Sequence, residues 1–396
     1  MKVSRDLIIE VFGTIFTVSW GSAVEPSQRK EMAQAWGRCL SVEPGSLTLK
    51  AAHSESGMPF TASLSFESRL ANVGVRHLSS DTFEGLAEAV TSEVTIAAIL
   101  ERAGELTMLH ACGVADSGGA VIALVAKSGT GKTTASSKLA RTFGYITDET
   151  VAIRDDGSVV PYPKPLSVKQ ATPGAAKLQV GPDELGLQVA PDNPRLTAIA
   201  LLDRVAGAEY QPPVIESVPL VDAVLALIPD TSSQAAVAQP LQSLCRLIDS
   251  VGGVLRVSYS EAADLKDSLA PLFWTDRVEK AEITPVWSPV QIEPEAAPGA
   301  HQIGERIAEP IPSGWLRRTE AVDAVEIGED LLVLTEIELI RLSGIGPIIW
   351  LTAQTPVSMQ TIVDRIEAVH GLPEGYEALL DTAVDGLVDQ GLLLRG

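Results

Sequence analysis

The stretch AVIALVAKSGTGKTTASSKLA, residues 120–140, decides how this chain is read. Ala120 to Val125 form an unbroken apolar run, as expected of a strand covered on both faces. A glycine-containing turn follows, and from Thr133 to Thr142 the residues favour a helix. Within the turn Ala126, Lys127, Ser128, Gly129, Thr130, Gly131, Lys132 and Thr133 fit GxxxxGK[ST] except for alanine at the first position. Glycine matters there because consecutive backbone N–H groups must close on phosphate oxygens with no side chain in the way. The helix adds its positive N-terminal end. Ser128, Gly129, Thr130 and Gly131 then form the cradle, and Lys132 reaches the β- and γ-phosphates. Thr133 holds Mg²⁺ through its hydroxyl, and Thr134 contacts the α-phosphate. ATP and Mg²⁺ are the expected cofactors.

Apolar runs alternate with helical segments on both sides of this loop. LTMLHACGVA precedes it; YITDETVAI, LTAIALLDR and VLRVSYS follow, with helices expected over 132–143, 220–228 and 241–250. Strands apolar on both faces, interleaved with helices, predict an α/β core over residues 81–274. In YITDETVAI two acids interrupt an apolar strand. Burying carboxylates needs a partner such as Mg²⁺ or a substrate hydroxyl, so Asp148 is a candidate general base and Glu149 a candidate metal contact. A solvent-exposed acidic turn is the structural alternative. His110, inside MLHACGVA, reads either as a satisfied core histidine or as an active-site neighbour. In PYPKPLSVK three prolines stiffen the segment around Lys164, which either presents that lysine to a phosphate or substrate or forms a structural loop.

The first 80 residues read as β-rich. LIIEVFGTIFTVSW, residues 7–20, has the β-branched and aromatic content of two short strands around a turn. From Thr82 to Arg102, Phe83, Leu86, Val90, Val94, Ala97 and Leu100 recur at near-helical spacing, with Asp81 placed to cap a helix leading into the next domain. Residues 275–313 are rich in proline, glutamate and alanine and read as a linker. Residues 314–396 form a further unit: strands AVDAVEI, LLVLT and ELIRL, then helices ending at Trp350, around 359–369 and over 376–390.

Composition limits the functional classes. Thirty Lys+Arg against 51 Asp+Glu leave a net charge of −21, which disfavours nucleic-acid and anionic-membrane partners. No apolar stretch approaches the roughly 20 residues of a membrane span, and the N-terminus lacks the pattern of a secretory signal, so a cytoplasmic location is expected. Three scattered cysteines with no CxxC pair read as reduced core residues.

His110 in LHACGVA, the loop AKSGTGKTT, Asp148 in ITDETVAI and the strand LTAIALLDR together resemble the HPr kinase/phosphorylase-like branch of P-loop kinases, related to the phosphoenolpyruvate carboxykinase-type fold. The resemblance implies that Asp148 accepts the proton of the attacking hydroxyl and that His110 neighbours the active site. It makes Lys132 and Thr133 the phosphate and Mg²⁺ anchors. Two features depart from that branch. Asp148-Glu149-Thr150 stands where consecutive aspartates occur, and the chain has no RGLG-like segment.

ELIRLSGIGPIIWLTA, TIVDRIEAVHG and VDGLVDQGLLL resemble the PqqD-like recognition element of ribosomal-peptide biosynthesis, with a winged-helix-like fold. By that resemblance a precursor's leader peptide adds as a strand beside Leu339, Ile340, Arg341 and Leu342, and faces Leu380, Val384 and Leu387. Residues 315–396 hold five arginines, no lysine and fourteen acids. That is the wrong sign for a winged-helix reader of DNA and suits a neutral or basic peptide.

The resulting expectation is an ATP-dependent kinase that binds a leader peptide and phosphorylates a Ser or Thr hydroxyl of the precursor. The alternatives are a non-catalytic recognition partner that presents the precursor to separate modifying enzymes, as in daptide-type pathways, and a small-molecule kinase. A homo-oligomer stays open.

Overall fold

The computed structural model describes residues 6–41, 57–69, 72–127, 131–205, 207, 210–274, 285–292 and 310–396. The chain divides into two compact units, Met1–Ala238 with Arg246–Ala281 and Gln239–Cys245 with Glu282–Gly396.

The first unit contains a six-stranded mixed sheet. Its order is Val214–Val218, Val254–Tyr259, Arg195–Arg204, Ala120–Val125, Ala111–Ala115, Gly144–Thr147. Ala120–Val125, Arg195–Arg204 and Val254–Tyr259 run parallel and form its middle, while the remaining pairings are antiparallel. Every residue of Val121–Val125 is buried, as the unbroken apolar run requires. Helix Lys132–Leu139 follows the central strand and buries Ala135 and Leu139 in the same cluster as Leu124, Ala200 and Val257.

The N-terminal residues form a four-stranded antiparallel sheet of Asp6–Val11, Thr14–Trp20, Phe60–Ser68 and Asn72–Ser80. Helix Phe83–Glu101 packs on it. Its cap is Thr82, not Asp81: Thr82 Oγ1 accepts from the N–H of Gly85 at 3.1 Å. Residue 80 lies inside the first compact unit. Phe83, Leu86, Val90 and Val94 share one core with Leu7, Phe16 and Leu64 of the sheet and with Met108, Ala152 and Tyr162 further along the chain. Each large apolar side chain buried there contributes roughly 1.5–3 kcal/mol, so separating helix from sheet would expose a continuous apolar face.

The second unit holds the three strands and three helices expected of residues 314–396, with additions. The sheet runs Trp287–Pro289, Asp323–Ile327, Asp330–Leu334, Leu339–Leu342, each pair antiparallel. Trp287–Pro289 falls inside the stretch read as a linker; Trp287 is buried there despite the surrounding prolines. Residues 275–284 and 293–309 of that stretch lie outside the described residues. Trp315–Arg318 pairs with Val357–Ser358 and Leu393–Arg395 in a second small sheet. Helices Gly346–Thr352, Met359–His370 and Tyr376–Asp389 close the core around Trp350 and Val384, both fully buried.

Candidate active site

The polar residues that interrupt the apolar runs sit where the chain changes sheets. LTMLHACGVA is two strands, Thr107–Leu109 and Ala111–Ala115, and His110 is the joint between them. YITDETVAI likewise divides into Gly144–Thr147 and Val151–Ile153, with Asp148, Glu149 and Thr150 at the break. Ala111–Ala115 and Gly144–Thr147 belong to the six-stranded sheet, while Thr107–Leu109 and Val151–Ile153 pair with each other in a second one. The two acids therefore do not lie within a strand, as the sequence suggested. Leaving a ladder frees backbone donors that need partners. His110 N–H finds the carbonyl of Asp230 at 2.6 Å, and the N–H groups of Glu149 and Thr150 both reach Thr147 Oγ1, at 3.2 and 3.3 Å.

These breaks converge on the start of helix Lys132–Leu139. Gly131 is its N-cap at φ 103°, a left-handed conformation strained for any residue with a Cβ. Ala126, at the first loop position, is 5% exposed and sits in the core with Ala135 and Leu139, which accounts for a methyl group where the motif has glycine. Ser128, Gly129 and Thr130 lie outside the described residues. Lys132 is buried and its Nζ donates to the carbonyl of His110 at 3.2 Å. Burial lowers its pKa, opposed by the charges of Asp230, Cys112, Glu149 and Asp148. Thr133 Oγ1 lies 3.5 Å from Asp148 Oδ2, whereas Thr134 is exposed.

Asp148 is 6% exposed and Lys164 1%. Lys164 Nζ lies 2.9 Å from Asp148 Oδ1 and 3.0 Å from Glu149 Oε2. It also donates to the carbonyl of Pro165 at 3.1 Å. Burial opposes its charge, yet the two carboxylates outweigh burial and raise its pKa. Lys164 thus sits behind Asp148, closed off from solvent, and does not reach outward to a substrate as one sequence reading had it. Glu149 is half-buried and tied to Lys164, and its charge acts on Lys132 and His110.

Two residues at the site escaped the sequence reading. Tyr145, fully buried, donates its hydroxyl to Asp148 Oδ1 at 3.1 Å, and burial raises its pKa well above the ordinary value. Its only signal was its place three residues before Asp148. Asp230 ends the short helical turn Ile228–Asp230, and strand Thr231–Ser232 pairs with Met108 and Leu109, which brings its carboxylate near Lys132 and His110. Nothing local in the sequence marks it.

An Mg²⁺–nucleotide fits this donor set. Thr133 Oγ1 is a hard oxygen donor at the start of the helix, and Lys132 supplies a positive charge beside it. No group of three or more His, Cys, Asp or Glu that could cage a metal occurs among the described residues, so phosphate oxygens and water would complete the shell.

In the second unit, Leu339–Leu342 is the terminal strand of its sheet; among the described residues it pairs only with Asp330–Leu334. Leu339 and Ile340 are half-buried and Arg341 is exposed, its guanidinium on Asp330 at 2.8 Å. Leu380, Val384 and Leu387, read as facing a peptide, are instead core residues at 4%, 0% and 5% exposure. Their face of helix Tyr376–Asp389 is already covered by the unit's own apolar residues. All three cysteines are free and buried, and burial pushes the thiols of Cys39 and Cys112 up to about 12. No helix among the described residues is long and apolar enough to cross a membrane.

The chain matches no protein-family model and no curated protein sequence. Among solved structures it is similar to the Hpr(Ser) kinase/phosphatase from Coxiella burnetii. The two share 12% identity over 42% of this chain and 92% of that chain, with a TM-score of 0.23, a likeness too loose to carry function.

Proposed function

We propose that this protein transfers the γ-phosphoryl group of Mg-ATP to a Ser or Thr hydroxyl of a ribosomally made peptide, whose leader segment docks on the C-terminal unit. The observation that carries the reading is the meeting of Lys132, Thr133 and Asp148 at the start of helix Lys132–Leu139, next to the central parallel strand Ala120–Val125. Open parallel sheets bind phosphates at the carboxyl ends of their strands.

Each side chain has a task in this reaction. The N-terminal turn of the helix and Lys132 draw in the phosphates, and Lys132 exchanges the carbonyl of His110 for a phosphate oxygen. Bound Mg²⁺, held through Thr133, would offset negative charge on the phosphates. Asp148 Oδ2 accepts the proton of the attacking hydroxyl; the hydroxyl oxygen bonds to the γ-phosphorus as its bond to the ADP oxygen breaks, and ADP leaves. His110 and Asp230 shape the wall around Lys132.

Leader capture on the second unit is supported by the place of Leu339–Leu342 as the terminal strand of its sheet among the described residues, the position that an added strand would extend. The net acidity of residues 315–396 favours a neutral or basic guest.

The test is the intact mass of the small peptide encoded beside this gene after incubation with the full chain and Mg-ATP. A gain of one phosphate, lost with Lys132→Ala while peptide and protein still co-elute, supports the reading. Co-elution without a mass gain transfers support to a recognition scaffold serving separate enzymes.

A further inference from the structure

The two oxygens of Asp148 have unequal surroundings. Oδ1 receives Lys164 Nζ at 2.9 Å and the Tyr145 hydroxyl at 3.1 Å, whereas among the described residues Oδ2 has only the 3.5 Å approach of Thr133 Oγ1. Lys164 is fully committed: Asp148, Glu149 and the Pro165 carbonyl match its three protons. At 1% exposure it touches no substrate, and a lysine kept there needs another explanation.

The backbone around Lys164 is fixed from several sides. Pro161, Pro163 and Pro165 lock φ at alternate positions and bias Tyr162 and Lys164 away from helix. Tyr162 N–H bonds the carbonyl of Ile146 at 2.9 Å, which ties the segment to the strand leading into Asp148. The Tyr162 ring lies 5.0 Å from that of Phe12 and 6.4 Å from that of Trp36, and its hydroxyl is 2.7 Å from Thr95 Oγ1. The N-terminal sheet and its helix thus clamp the segment that carries the lysine.

We infer that Lys164 and Tyr145 are positioning residues that hold Oδ1 of Asp148, so that Oδ2 alone is presented, beside Thr133, to the acceptor hydroxyl. The inference rests on the kinase reading above and adds to it a role for the N-terminal sheet, as the outer support of the proline segment. A carboxylate free to rotate would share its time between two oxygens and several orientations; one held at Oδ1 meets the hydroxyl in a single geometry, and loss of such alignment costs on the order of 100-fold in rate.

The experiment is steady-state transfer from ATP to the same precursor peptide, with the full-length wild type, Tyr145→Phe and Lys164→Met. Tyr145→Phe keeps the ring and removes one donor; its kcat should fall by about tenfold with KM for ATP unchanged. Lys164→Met should lower kcat by roughly 100-fold, again with KM for ATP unchanged. Should Lys164→Met fail to fold, Tyr145→Phe decides alone. Wild-type kcat in Tyr145→Phe, or a fall in kcat matched by a rise in KM for ATP, overturns the inference and leaves the kinase reading standing. No transfer by the wild type overturns both.

Discussion

Two buried aspartates, one in each unit, interrupt apolar runs in similar ways and end in opposite states. Asp323, 1% exposed, takes bonds from the N–H groups of Leu241, Gln242 and Ala324 and from the Gln242 side-chain amide, all at 2.8–3.0 Å. Its donors are neutral and both oxygens are served; it satisfies the exposed N–H groups that begin helix Pro240–Ser250. Asp148, 6% exposed, has two close donors on Oδ1 and, among the described residues, only the 3.5 Å approach of Thr133 on Oδ2, with a buried lysine as counter-charge. The difference teaches that burial does not mark a functional carboxylate. What separates the two is how evenly their oxygens are served, and a fully served carboxylate has no lone pair left for a substrate proton.

The comparison breaks first at Asp148. Asp148→Asn keeps shape and removes the basic oxygen; transfer should fall by about 10²–10⁴-fold, read as phosphopeptide formed per minute, and the thermal midpoint should also drop because buried Lys164 loses a counter-charge. Wild-type turnover in this variant would remove Asp148 from the reaction. Asp323→Ala should act on stability alone. It strands buried donors and should cost about 3 kcal/mol in urea unfolding followed by circular dichroism, with kcat of the folded fraction unchanged. A normal midpoint would mean that water replaces the carboxylate.

The smallest effect is on pH. Burial, and then the Lys132 charge, hold the His110 pKa below its usual 6.5, against the pull of Glu149 and Asp230. A lowered native value means that the folded state favours the neutral ring. The contribution is present above pH 6.5 and is lost as pH falls through the lowered native value. His110→Gln should therefore flatten the decline of the unfolding midpoint just below that pH, before the carboxylates titrate. An unchanged profile would show that His110 does not titrate differently on folding.

Much of the frame was legible in one dimension. The apolar run Ala120 to Val125, followed by Gly131 and Lys132, announced a strand, a loop and a helix because each local preference agrees with the others. The helices of the C-terminal unit were legible for the same reason. Other features were not. Trp287–Pro289 was hidden among prolines because an edge strand tolerates residues that a central strand rejects. Leu380, Val384 and Leu387 carried the right periodicity, but periodicity says that a face is apolar and leaves open what covers it.

The sequence by itself determined that an apolar strand and a helix flank the GxxxxGK[ST]-like stretch, that Asp148 interrupts an apolar run shortly after them, and that the chain is strongly acidic. Only the tertiary structure decided which oxygen of Asp148 is left open, that Lys164 stands behind it, and that Asp230 comes to the side of Lys132. The reason is physical. Local propensities act over a few residues, whereas a buried charge is stable only where segments distant in sequence deliver its partners, and that meeting is set by how the sheets and the N-terminal core close on one another.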